Sequence, residues 1–188
     1  DAFGVHADEI VFTGSATESA NLALIGAVWA WKAAHPGCMP HVVVSAIEHA
    51  AVLSAADQLE TQGVRVTRIP VDTEGVVVLD ALKGALSPDT VVVSVMHANN
   101  EIGTIQPIAE IAKIIRNWKR DVRGVARDVK TTGDGRYPLL HTDAAQTVGF
   151  LPERIPALGV DLLTFSGAKI GGPKGIGALV VLRDTPLS

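Results

Sequence analysis

The chain is poor in cysteine, has no excess of positive charge and lacks long apolar runs. A single cysteine, Cys38, stands among 188 residues. That excludes an internal disulfide framework and leaves too few thiolates for a cysteine-rich zinc or iron–sulfur site. Lys and Arg total 16 against 20 Asp and Glu, a formal charge of −4. The clustered basic surface that binds nucleic acid or an anionic membrane is therefore not expected. No apolar run reaches the ~18–20 residues of a membrane span, and no basic-then-apolar leader of secretory type is found. The histidines lack metal spacing such as HExxH, so no metal is expected; His6 and His35 read as surface residues. The expectation is a soluble, cytoplasmic protein that contacts neither nucleic acid nor membrane.

What the sequence does contain is enough apolar material, 47% of residues, to build one sizeable core. Short β-branched runs at residues 9–13, 41–45, 64–70, 90–96, 139–142, 161–165 and 177–182 read as strands. Several are apolar on both faces, as in a parallel sheet covered on both sides. Helical stretches at about residues 18–34, 50–62, 79–86 and 108–120 lie between them. The last is the clearest: Pro107 precedes a stripe of Ile108, Ile111, Ala112, Ile115 and Trp118. This alternation predicts an α/β fold with a mostly parallel sheet of about seven strands and helices on both faces. Residues 119–136 carry nine charges and three glycines, and read as a solvated loop or a helix end with a loop.

Ligands of such sheets bind beyond the carboxyl ends of the strands, and the unusual polar residues fall there. Gly14, Ser15, Thr17 and Glu18 follow the first strand and open a helix. Free amides at a helix start can hold an anion such as phosphate, with the Thr17 hydroxyl as a further donor. A Ser15/Glu18 capping box explains the same residues without a ligand. His49 follows the second strand; a lone histidine is usually structural, yet here it could stack on a planar ring and move protons. Asp143 follows the fifth strand, either as a helix cap or as a buried carboxylate paired with a cation such as a protonated pyridine. Gln146, three residues on, shares its face if a helical turn begins there. Lys169 is bracketed by a strand end and the run Gly171-Gly172-Pro173-Lys174-Gly175. A lysine held so can have a lowered pKa and form a Schiff base, whereas Lys174 reads as a solvated surface residue. The glycine run is neither a Walker loop nor GxGxxG, so it gives no support to nucleotide binding.

Taken in order, the segments TGSATESANLAL, SAIEHAAVL, VSVMHANNEIGTIQPI, HTDAAQTVGFLP and VDLLTFSGAKIGGPKGIGAL resemble the class V aminotransferase family of pyridoxal-phosphate enzymes. Within it they look most like the cysteine desulfurases of NifS/IscS type. The resemblance spans nearly the whole chain apart from residues 119–136. It implies the fold type I large domain of pyridoxal-phosphate transferases (the aspartate aminotransferase-like fold) and pyridoxal 5′-phosphate as cofactor. By the same resemblance Lys169 is the Schiff-base lysine, Asp143 pairs with the pyridine nitrogen and His49 stacks on the ring. Asn100 and Gln146 lie near its phenolic oxygen; Ala16, Thr17 and Ser166 hold the phosphate. The implied reaction removes sulfur from L-cysteine as an enzyme persulfide and leaves L-alanine, with His49 assisting proton transfer. A sulfur-acceptor protein, iron–sulfur assembly and a homodimer are implied partners. Selenocysteine lyase, another class V aminotransferase, or a non-catalytic paralogue keeping the fold are the alternatives.

Three departures from the family pattern stand out. Ala168 replaces the histidine that usually precedes the lysine, a lost phosphate donor worth on the order of 1 kcal/mol. The N-terminal segment and the small C-terminal domain, which carries the catalytic cysteine loop and a substrate-binding arginine, are expected to lie outside residues 1–188. Cys38, between a helix and a strand, does not match that cysteine. Residues 1–188 are thus expected to be an incomplete cofactor-binding large domain, inactive alone.

Overall fold

A computed structural model describes residues 4–125, 136–152 and 154–188. Most of the charged stretch singled out in the sequence, residues 126–135, lies outside them. Seven strands form one sheet: β1 (Ile10–Thr13), β2 (His41–Ser45), β3 (Arg65–Ile69), β4 (Thr90–Ser94), β5 (Leu139–Asp143), β6 (Leu162–Ser166) and β7 (Gly177–Val181). Their order is β1-β7-β6-β5-β4-β2-β3. From β6 to β3 every neighbouring pair is parallel, and β7 runs antiparallel to both β6 and β1. The expected mostly parallel sheet is what forms.

The reason lies in the alternation of side chains along each strand. Val42, Val44, Val92, Leu139, Leu162 and Leu179 enter one core, under α1 (Ala16–Ala34) and α2 (Ala50–Thr61). Their sequence neighbours Val43, Val93, Leu140, Leu163 and Val180 enter the other. That second core is closed by α3 (Leu79–Ala85), α4 (Ile108–Val125) and the one-turn α5 (Ile155–Leu158). The stripe on α4 is buried at Ile108, Ile111, Ala112 and Ile115, while Trp118, further along the helix, is only half-buried. Helix α1 begins two residues before the sequence-based estimate because Ser15 is its N-cap, accepting the Glu18 amide at 3.1 Å. The short α5 has no periodicity long enough to read in sequence. His35 departs from its surface assignment: it is half-buried, stacks on Trp31 at 4.5 Å between ring centroids, and its Nδ1 lies 2.8 Å from the Trp31 carbonyl. Among the described residues no helix is long and apolar enough to cross a membrane.

Strand order reverses between β2 and β4: the chain passes from β2 outward to β3, then returns to the other side of β2. Loops after the two strands part there and leave a crevice at their carboxyl ends. On the far side of the same edge, Gly177 opens β7 against the start of α1. A Cβ on Gly177 would lie 2.6 Å from the Ser15 carbonyl oxygen and 2.8 Å from the Ala16 amide nitrogen. Only glycine permits this approach. G177A is expected to destabilise the protein by about 1–3 kcal/mol. G84A, inside α3 with no atom within 4 Å of the added carbon, should instead stabilise by about 0.5–1 kcal/mol. Urea unfolding of the two variants beside the parent checks both signs.

Candidate functional site

Five strand ends contribute to one cavity of about 250 Å³, lined by Ser15, Ala16, Thr17, His49, Ala51, Met96, Ala98, Asn100, Asp143, Ala145, Gln146, Ser166 and Lys169. All eight residues singled out in the sequence lie on its wall. Lys169 and Asp143, 26 positions apart, share it because β5 and β6 are parallel neighbours.

One end of the cavity is formed by a helix start. Helix α1 starts there, and the geometry of a helix start leaves its first amides without intrahelical acceptors. Ser15 Oγ takes the Glu18 amide, while the Glu18 carboxylate reaches back to the Gly14 amide at 2.7 Å. This is the expected capping box displaced by one residue, and it leaves the Ala16 and Thr17 amides available. Capping and anion binding are therefore compatible here. Thr13 Oγ1 steadies the turn through the Ser15 carbonyl (3.0 Å) and Ser19 Oγ (2.7 Å). Ser166 ends β6 opposite Gly177, which holds it beside the same turn.

The floor is acidic and buried. Asp143 is 6% exposed, and its Oδ1 accepts the Ala145 amide at 2.9 Å. Burial pushes its pKa up; the Ala145 amide and the nearby His49 imidazole act in the opposite direction. Asp143 braces its own turn, which does not continue into a helix, and its carboxyl lines the cavity. His49 is the N-cap of α2, its Nδ1 accepting the Ala51 amide at 3.1 Å. That bond orients the ring and assigns the proton of neutral imidazole to Nε2. Lys169 sits exposed on a single turn of 3-10 helix (Gly167–Ile170) between the end of β6 and the glycine run at residues 171–175. Gly167 and Gly172 close this turn through bonds to the Ile176 and Gly167 carbonyls at 2.9 and 2.8 Å. Ala168 is exposed beside it and does not line the cavity. Cys38 is an exposed free thiol just before the amino end of β2, across the sheet from the site.

Behind the floor runs a polar layer that the sequence reading missed. His141 is fully buried on β5, with Nδ1 at 2.8 Å from Ser94 Oγ and Nε2 at 3.1 Å from Thr164 Oγ1. Glu48, just before His49, is buried to 5% exposure. Only their places near the ends of apolar strands could have signalled them.

The aminotransferase class-V model matches residues 1–187. The chain belongs to that family. Cysteine desulfurase IscS of Dictyoglomus turgidum is 43% identical over 186 residues, covering 99% of this chain and 42% of the relative. A mitosomal cysteine desulfurase of Trachipleistophora hominis is 45% identical over 183 residues, covering 97% and 37%. Among solved structures, a NifS-like protein superposes with TM-score 0.81 at 36% identity, covering 99% of this chain and 46% of that one. SspA in complex with cysteine gives TM-score 0.81 at 35% identity, covering 100% and 48%. The fold is thus that of the NifS/IscS cysteine desulfurases. The chain spans about two-fifths of the length of these curated relatives.

The buried imidazole behind the class-V site makes a stability prediction. Burial without a counter-ion lowers the pKa of His141 from its ordinary 6.5 to about 3. Between those values the unfolded chain binds a proton that the folded chain refuses. Stability therefore falls as pH drops from about 6.5 toward 3, by up to about 1.4 kcal/mol per pH unit. In H141N that slope should be smaller by close to one proton, as read from unfolding free energies at pH 7, 5.5 and 4.5.

Proposed function

We propose that the cavity holds pyridoxal 5′-phosphate and that the complete protein is a cysteine desulfurase, of which this chain supplies part of the cofactor-binding large domain. Class-V aminotransferases and the cysteine desulfurases among them depend on that cofactor. The observation that carries the reading is one cavity uniting an amine, a buried carboxyl, an oriented imidazole and a helix start: Lys169, Asp143, His49 and Ala16–Thr17. The donor set fits the group. A dianionic phosphate suits the free amides of Ala16 and Thr17 with the hydroxyls of Thr17 and Ser166. A protonated ring nitrogen suits Asp143, whose buried carboxyl gains a cation and loses the penalty that raises its pKa. Asn100 and Gln146 offer carboxamides to the ring oxygen, and Lys169 offers the amine for covalent attachment to the aldehyde.

When bound, this cofactor supplies an electron sink for the substrate α-carbon. The residues of the chain do the rest. Asp143 keeps a negative charge where the ring nitrogen must stay protonated. His49, fixed at Nδ1, would face the ring and could carry a proton at Nε2. Lys169, exposed at the cavity rim, would hold the cofactor's aldehyde carbon through its amine. The thiolate that accepts the sulfur comes from another part of the protein, since Cys38 lies across the sheet. The products are L-alanine and a persulfide on that thiolate, which a sulfur-acceptor protein then takes, as in iron–sulfur assembly. A cytoplasmic homodimer is the assembly we propose.

Full-length protein should be yellow, and borohydride reduction should fix the cofactor to Lys169; K169A should carry no fixed label. With L-cysteine and a thiol reductant it should release sulfide and alanine in equal amounts. A colourless protein, or a label on another lysine, contradicts the cofactor assignment; release of selenide alone from selenocysteine identifies a lyase. A168H, which returns a donor beside Lys169, should tighten cofactor binding by about five- to tenfold in an equilibrium titration.

A further inference from the structure

Glu48 has no part in the cofactor contacts proposed above, yet its surroundings are among the most constrained in the molecule. It lies on the loop after β2, one residue before His49. Its Oε1 accepts the Ser45 hydroxyl at 2.5 Å and the Met96 amide at 2.7 Å. Its Oε2 is buried without a hydrogen-bond partner. Met96 lies beyond β4, on the segment leading to Asn100, so this carboxyl bridges the two loops that part where the strand order reverses. Asn99 returns the link: its Nδ2 donates to the Ile47 carbonyl at 2.9 Å, and its Oδ1 accepts the Glu101 and Ile102 amides at 2.8 and 3.0 Å. Two reciprocal side-chain bridges thus cross the crevice behind the cavity, where no strand pairing holds the loops.

We propose that Glu48 is a positioning residue for the site, fastening the turn that presents His49 to the segment that presents Asn100. The inference rests on the cofactor reading above and adds a residue to it that touches no ligand. Glu48 performs this role as an uncharged acid. Burial raises its pKa from 4.5 to about 8, and the Asp143 carboxylate adds to that; the hydroxyls of Ser45 and Ser94 and the Met96 amide oppose it. His141, beyond Ser94, is neutral and offers no counter-charge. A neutral Glu48 needs only one acceptor oxygen for its two donors, and leaves Asp143 as the negative charge facing the ring nitrogen.

The test uses the full-length protein, with cofactor removed and pyridoxal 5′-phosphate titrated back. E48A leaves two buried donors without an acceptor, and should weaken cofactor binding by about ten- to a hundredfold. It should also move the pH titration of the cofactor's visible band. E48Q keeps the acceptor oxygen without the charge, and should restore affinity to within about threefold and the band to its parent curve. S45A, losing one donor, should fall between them. Amide exchange in the cofactor-free protein is the independent readout: Met96 and Ala51 should exchange faster in E48A and return to parent rates in E48Q. If E48A proves unfolded, E48Q and S45A still decide. Parent-like affinity, band titration and exchange in E48A or S45A overturn the proposal, as does E48Q failing as badly as E48A. A parent protein that binds no pyridoxal phosphate overturns the cofactor reading instead, and the exchange rates then judge Glu48 alone.

Discussion

Burial of a parallel sheet on both faces is the constraint from which the rest follows. Strands β2, β4 and β5 are buried along their whole length, so charged groups cannot sit along them without losing solvation. They collect where the strands end, and parallel strands end along one edge. The cavity is the consequence: Asp143 closes β5, Ser166 closes β6, and His49, Asn100 and Lys169 stand in the segments that follow β2, β4 and β6. The switch of strand order between β2 and β4 opens the crevice. The antiparallel β7, led by Gly177, brings the start of α1 to it.

The polar groups inside the sheet obey a related rule. His41 lies between the hydroxyls of Thr67 and Thr90, and His141 between those of Ser94 and Thr164. Each imidazole is satisfied by neutral partners and kept neutral by burial. Glu48 is treated the same way with the opposite proton count, an acid kept neutral by the same loss of water. A layer of uncharged hydrogen bonds therefore lies behind a floor whose proposed task requires one ionised group, Asp143. The separation matters because a second negative charge at that depth would raise the pKa of Asp143 further.

Much of this was legible from residue order. The seven apolar runs correspond to the seven strands, and the helix stripe on α4 to a buried face, because period-two and period-3.6 patterns are direct records of which side faces a core. The polar residues at the strand ends were legible for the reason just given. His35 was misjudged because its neighbour in space, Trp31, holds it by a stacking contact that no periodicity encodes. Glu48 was passed over because a charged residue after a strand ordinarily faces water, and only the fold shows that Ser45 and Met96 enclose it.

By itself, then, the order of residues determined the strands, the four longer helices, the two-sided core and the family, since each depends on local period or on short motifs read in sequence. Tertiary structure alone decided which strand lies beside which, and so that Lys169 and Asp143 share a wall, that Cys38 stands at the opposite edge, and that Glu48 spans two loops. Those are facts about pairing between distant segments. They follow from how sheets order and reverse their strands, and no short window of sequence contains them.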